Sequence, residues 1–411
     1  LNPESAVAKS SNSFDLVVIG GAASGATMAL RMARAGWRVA VVEKARFPRR
    51  KVCGEYLSAT NLPLFEDLGI KDEILGAAGP PVDSVAAYQG ESIITAAMPK
   101  ILENSRLRGI ALGRDQLDSC LMRHAKGHGA HAFQPARVTA LEREGRNTRV
   151  VLETGDPDGC AELPQSLVAP VVVAAHGSWG ASSLPSFPKA PKPSPGDLFG
   201  FKAHFSRARL PGGLMPLFVF PGGYGGLVET HDGLVSFSCC VRRKVLSAIR
   251  ARYEETAPTP GEAVVAHLIA TVRGMREVLG SAETEGSILY TGPIRPGIRK
   301  GYENGVFKVG NAAGEAHPII AEGITMAMQS SWILSEEWIA AGQDGDPENV
   351  AKQYRKRWNR SFQGRIRASF LFAAAAMNPG TTSALRSLFQ TFPGLLTLGA
   401  ELSGKAKVVV R

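Results

Sequence analysis

At 411 residues, with 44% hydrophobic and 20% charged side chains, the chain is too long for one simple core and too apolar for a disordered or coiled-coil protein. Its net charge of +10 does not mark a nucleic-acid binder, because the excess sits at one end. Between 351 and 411, eleven Lys and Arg residues are opposed by Glu401 alone, and the preceding 350 residues are neutral.

Residues 14–20, FDLVVIG, read as a short buried strand of the parallel kind. GGAASG follows, then a helix over about 26–35 that Gly36 ends, then a second strand, WRVAVVEK, over 37–44. Together they make a βαβ unit. A helix is predicted over about 112–130, strands over 137–143 and 148–154, and a buried strand over 168–175 that stops at His176-Gly177-Ser178. The Pro-rich stretch from Leu184 reads as a linker. Strand-like runs follow over 199–205, 217–220 and 226–240, then a helix over 261–278. A strand over 305–310, a long helix to about 341 and a basic helical tail complete the chain. The order predicts a nucleotide-binding α/β fold interrupted by a β-rich insertion.

Five scattered cysteines, Cys53, Cys120, Cys160, Cys239 and Cys240, form no CxxC pair and no zinc-spaced Cys/His set. No metal site is expected, and reduced thiols point to a cytoplasmic protein. Cys239 and Cys240, adjacent in a strand, are expected to face opposite ways. The start, LNPESAVAKSSNS, has no apolar stretch of the kind a secretory leader needs. No apolar run reaches the ~18 residues of a spanning helix.

The chemistry begins at the first turn. Gly20, Gly21, Ala22, Ala23, Ser24 and Gly25 form a GxGxxG-type frame with alanine in the middle position. Such a turn lets backbone N–H groups and a helix N-terminus meet a pyrophosphate. Glu43, followed by Lys44, closes the second strand where an acid binds ribose hydroxyls. FAD and NAD both satisfy this constellation.

Later motifs separate the two. The run GVFKVGNAAGEAHPIIAEGITMAMQSS resembles the second FAD motif of flavoprotein hydroxylases and geranylgeranyl reductases, through Gly310, Ala312, Ala313, Pro318, Glu322, Gly323 and Ile324. Asn311 stands where those families carry Asp, and it keeps the capacity to hydrogen-bond a hydroxyl. Arg114, Leu117, Asp118 and Leu121 resemble the families' helix whose arginine lies near the FAD phosphates. Lys51, Cys53 and Gly54 resemble a Lys-x-Cys-Gly segment that approaches flavin and substrate, with Glu55 where a second glycine is common. FVFPGGYGGLVE resembles the aromatic roof of the substrate cavity.

The resemblance implies an FAD-dependent oxidoreductase of the para-hydroxybenzoate hydroxylase and geranylgeranyl reductase type, reduced transiently by NAD(P)H. It implies a Rossmann-like FAD-binding domain (14–80, 105–185 and 285–345), a substrate-binding β-sheet domain (81–104 and 186–284) and a basic helical segment (346–411). Gly20 to Gly25, Glu43, Lys44, Lys51, Arg114, Gly310, Asn311, Ala312, Gly323 and Ile324 are the implied cofactor residues. Cys53, Gly54, Phe220, Tyr224 and Pro318 are the implied cavity wall, with no side chain given a catalytic role. Cys53 is read as wall in preference to nucleophile, because no activating base accompanies it. His176 stands before Gly177 where hydroxylases carry Asp, as a structural stand-in or as a flavin contact.

Monooxygenation of a lipophilic aromatic or polyketide-like molecule is the favoured reaction. Flavin hydride transfer to an alkene is the alternative, and a flavin-binding redox partner without turnover is a third class. The halogenase signature Trp-x-Trp-x-Ile-Pro is absent. For the tail, two readings stand. Either its apolar faces pack on the FAD domain with the charges solvated, or cations beside Trp358, Phe362, Phe370 and Phe372 lay it on an anionic membrane surface.

Overall fold

In a computed structural model, residues 12–99, 108–154, 164–178 and 192–405 are described. The predicted linker from Leu184 lies largely outside them, as do Cys160 and the last six residues. Five parallel strands form the centre of the fold. Leu16–Ile19 pairs on one side with Val171–Ala174 and on the other with Val39–Val42. Val306–Lys308 and His131–Phe133 extend the sheet outward, and Tyr302–Glu303 adds an antiparallel edge. The inner strands are continuous Val/Ile/Leu/Ala runs because both faces are covered.

One face carries helices α1 (Ala23–Arg34), α2 (Arg114–Gly127) and α3 (Gly323–Ala341). The other carries an antiparallel sheet of Ala136–Glu144, Asn147–Thr154 and Ser166–Ala169, packed on Val17, Ala40 and Val172. The predicted strand over 168–175 is therefore two strands in two sheets. Pro170, without an N–H, cannot carry one ladder through, and the chain changes sheets there.

The insertion builds a second, larger sheet. Its strands run in the order Glu283–Thr284, Leu198–Ser206, Val235–Arg242, Gly223–Glu229, Leu214–Phe220, Ser84–Gln89 and Ser92–Ala97. Leu289–Ile294 also pairs with Leu198–Ser206, so the sheet claims residues that the sequence places in the FAD domain. The run over 226–240 is a hairpin turning at His231–Gly233. The single helix over 261–278 is two, Pro260–Thr271 and Arg273–Leu279, broken at the extended Val272. A further helix, Arg243–Arg252, precedes them.

The tail is α4 (Pro347–Trp358), one π-turn over Asn359–Gln363, α5 (Gly364–Met377), α6 (Pro379–Thr391) and α7 (Gly394–Ala400). Asp346 caps α4 by accepting from the Glu348 and Asn349 N–H groups. Tyr354, Trp358, Phe362 and Ile366 are buried in the main core beside Trp332 and Trp338. Each such side chain contributes roughly 1.5–3 kcal/mol on burial. Packing on the body thus holds for α4 and most of α5. Trp358 and Phe362 are core residues and cannot face a bilayer, Phe372 is half-buried, and Phe370 is exposed.

Candidate active site

The first turn is built from close backbone approach. Gly20 has φ +101°, and a Cβ there would stand 2.7 Å from the Ala175 carbonyl oxygen. A Cβ on Gly25 would stand 1.7 Å from the Gly20 oxygen. These contacts pull the chain into α1 at Ala23, three residues earlier than the glycine-rich sequence predicts. Ala22 precedes α1 with no side-chain cap, so the helix meets the cavity with bare N–H groups, beside Ala23 and Ser24. Glu43 is buried, and its carboxylate accepts from Gly21 N–H at 2.8 Å and Ala45 N–H at 2.9 Å. Lys44 is exposed at the strand end.

The second motif meets the first from below. Gly310, at φ +60°, donates its N–H to Ser330 Oγ at 2.7 Å and lies against Ser24. Ala312 is buried behind it. Asn311 lines the cavity, yet its amide nitrogen already donates to Ser178 Oγ and Glu315 Oε1, both at 3.1 Å. Its carbonyl oxygen is the atom left for a cofactor hydroxyl. Gly323 and Ile324 begin α3 at the cavity edge, and no atom lies within 4 Å of a Cβ built on Gly323.

Bare helix N–H groups, a buried carboxylate at the end of the second strand and three glycines that admit no side chain make a cradle for an extended dinucleotide, and FAD fits it.

Between the two sheets lies a cavity of about 500 Å³. The FAD domain contributes Lys51, Cys53, Gly54, Arg114 and Pro318 to its lining, and the large sheet contributes Met215, Leu217, Tyr224 and Val228. Arg114 is clamped by Asp118 through three contacts of 2.9–3.1 Å. Burial, with Arg114 and Arg49 nearby, lowers the Lys51 ammonium to about 8. Phe220 is not in the wall. Strand alternation turns it with Phe218 into the core beneath the large sheet, where its ring edges His267. Cys239 and Cys240 face different clusters and both are free thiols.

Two arrangements escape the sequence reading. In the first, Glu55 sits at φ +61°, the left-handed conformation that favours glycine, and its buried carboxylate accepts from Lys202 Nζ at 2.6 Å and His204 Nε2 at 2.8 Å. His204 Nδ1 lies 2.8 Å from Arg50 Nη2. Arginine only donates, so Nδ1 faces a donor while Nε2 meets the Glu55 carboxylate. Burial pushes the Glu55 carboxyl up, but Lys202 and His204 overcome it and hold it at about 2. The substitution for the families' glycine was the one available signal.

In the second, Tyr224 of the large sheet hydrogen-bonds His317 Nδ1 of the FAD motif, across the seam between domains. Ser369 of α5 accepts from the His317 N–H at 2.8 Å. Burial, and then Arg242, lowers His317 to about 4, so the ring is neutral and both partners line the cavity. His176 bonds the Gly177 carbonyl oxygen at 2.9 Å and is lowered to about 4, chiefly by burial. Among the described residues, one set of metal-type ligands gathers elsewhere: Glu73, Cys120 and His124. There Arg123 and His124 already occupy the Glu73 carboxylate.

The cradle, the second motif and the cavity between two sheets define an FAD-dependent oxidoreductase. The chain matches the FAD binding domain family over residues 13–187. It is 28% identical over 371 residues to digeranylgeranylglycerophospholipid reductase 1 of Methanopyrus kandleri, covering 85% of this chain and 87% of that protein. It is 29% identical over 151 residues to the 1H-pyrrole-2-carbonyl-(peptidyl-carrier protein) chlorinase of Pseudomonas fluorescens, covering 32% of this chain but only 33% of that enzyme. By fold it resembles the flavin-dependent brominase Bmp2, with TM-score 0.74, 17% identity and 96% and 94% of the two chains covered. It also resembles PqsL of P. aeruginosa, solved with 2-aminobenzoylacetate, with TM-score 0.70, 18% identity and 92% and 100% covered. The likeness to a brominase is one of fold alone.

Proposed function

We propose that the protein is an NAD(P)H-dependent monooxygenase that oxidises a lipophilic aromatic or polyketide-like small molecule in the cavity between its two sheets. The observation that carries this reading is the wall itself. Met215, Leu217, Leu227, Val228 and Ile294 present an apolar surface, and Tyr224 with His317 adds one neutral polar pair to it. Such a lining fits a mostly apolar molecule with a polar group to be oriented.

FAD, when bound, would supply the redox chemistry, oxygen activation or hydride transfer, with a nicotinamide as the reductant. The chain's own residues divide the remaining work. Glu43 and the glycine turn hold the adenosine and pyrophosphate end, and Lys51 and Arg114 supply positive charge on that side. The apolar wall excludes water, and Tyr224-His317 offers a hydrogen bond without bringing a charge. Four described cysteines are free thiols, which fits a reducing cytoplasm.

A second reading, hydride transfer to an alkene, is favoured by one observation: the reductase of Methanopyrus kandleri matches over most of both chains. Turnover under labelled dioxygen decides between them. Label in the product, with no anaerobic turnover, is expected. Anaerobic conversion with one nicotinamide consumed per reduced product would replace the monooxygenase by the reductase.

A further inference from the structure

α4, the π-turn and α5 run without interruption from 347 to 377, and one side of this helix is buried against the body. The opposite side is read in order along the chain. Lys352, Arg355, Lys356, Arg360 and Arg367 are exposed, and then Phe370 and Leu371 take over the same exposed stripe, Leu371 at 73%. Beyond Met377 the pattern is more open still. Neither α6 nor α7 has a buried residue, and Leu388, Phe392, Leu398 and Leu402 are exposed, Phe392 at 58%. Six of the ten large apolar side chains exposed among the described residues thus lie between 370 and 402. Scattered exposed leucines need no explanation, but a concentration in 33 residues does.

This surface adjoins the cavity. The Phe370 ring meets the edge of His317, a lining residue, with centroids 6.2 Å apart. Leu396 of α7 packs on the cluster of Tyr56, Met215 and Val228, which are also lining residues. Thr397 donates to the Ala97 carbonyl oxygen at 2.7 Å, tying α7 to the edge strand of the large sheet.

We propose that residues 352–402 form a docking surface for an anionic lipid bilayer, which sets the apolar rim of the cavity against the membrane. Charge selects this occupant. The body is neutral, the segment from 351 onward carries the whole +10, and cations flanking exposed Phe and Leu are the composition of helices that lie in the headgroup plane. Among the described residues no helix is long and apolar enough to cross a membrane, so the contact is one of surface. Delivery of substrate from the bilayer rests on the lipophilic substrate proposed above; the docking itself does not.

The test is co-sedimentation of the full-length, FAD-loaded protein with phosphatidylcholine vesicles, with and without phosphatidylglycerol. Binding to the anionic vesicles, weakened by salt and at least tenfold weaker to neutral ones, is expected. Lys352→Gln with Lys356→Gln should weaken it about fivefold per cation lost. Leu371→Ser with Phe392→Ser should weaken it at least as much, and because both residues are exposed the variant should keep its flavin absorbance. No binding to anionic vesicles at low salt, or equal binding by wild type and both variants, overturns the proposal. So does a concentration-dependent dimer in sedimentation velocity that the Ser variant abolishes while vesicle binding is absent, which would assign the surface to a second copy. The readout needs no turnover, so a protein that docks but does not oxidise lipophilic molecules fails the reaction alone.

Discussion

The two walls of the active cavity are made in opposite ways. On the FAD side the recognising atoms are backbone, and the side chains matter by being absent. Gly20, Gly25 and Gly310 stand where a Cβ would strike an oxygen or Ser24 at 1.7–2.8 Å. On the side of the large sheet the wall is held by side chains brought together from far apart, such as Glu55 with Lys202 and Tyr224 with His317. A wall made of backbone fails when anything is added. A wall made of paired side chains fails when one partner is removed.

The sharpest way to break the first wall is Gly25→Val. No rotamer relieves a Cβ 1.7 Å from a backbone oxygen, so α1 must leave the sheet. Loss of flavin absorbance in the purified variant is expected, with retained stoichiometric FAD as the contrary result. Gly36→Ala is the control: its φ is +82°, but nothing lies within 4 Å of the added Cβ. That strain should cost about 1 kcal/mol in denaturant melts and leave FAD bound.

The second wall breaks by subtraction. Lys202→Met leaves Glu55 buried without its cation, and a loss of about 3–5 kcal/mol is expected. Adding Glu55→Gly should restore most of it, since the charge goes and the left-handed backbone gains the residue that suits it. A double variant no more stable than Lys202→Met would show that the pair is not the coupled unit its geometry describes.

This difference also governs what was legible in the sequence. The cradle is contiguous, and 24 residues from Gly20 to Glu43 contain its turn, helix, strand and acid. Its demands are steric and so write themselves as glycine. The βαβ unit and the second FAD motif were readable for the same reason. The opposite wall was not, because long-range pairing decides it: Lys202 and His204, two apart on one strand, reach Glu55 from 147 and 149 residues away. Phe220 was misplaced by the same cause, since alternation sends it inward while Tyr224, four residues on across the turn, faces the cavity. In the tail, composition exposed the charge but could not tell which aromatic residues the body would bury.

Acid should separate the paired groups by window. His317 is lowered from 6.5 to about 4 in the fold, so its contribution is complete above pH 6.5 and is lost as pH falls through 4. Glu55 is lowered from 4.5 to about 2, so its contribution is complete above pH 4.5 and is lost as pH falls through 2. Each amounts to about 3 kcal/mol when fully present. His317→Asn should therefore flatten the fall in stability between pH 6.5 and 4 and leave the lower window in place. An unchanged profile would mean that His317 is not held neutral by its site.

The mildest break is Tyr224→Phe. It removes one hydroxyl and leaves the ring where it packs, so the stability change should be about 1 kcal/mol, the net worth of one hydrogen bond. Function should move more than stability. That hydroxyl bonds His317 Nδ1 across the domain seam, and without it the His317 ring loses a partner that orients it in the cavity wall. The expected signature is a raised KM with a shifted flavin absorbance in the presence of substrate and little change in melting. If Tyr224→Phe alters melting alone, the pair is a clasp between domains. If it alters the substrate-dependent spectrum alone, the substrate wall recognises its ligand through side chains as the FAD wall does through backbone.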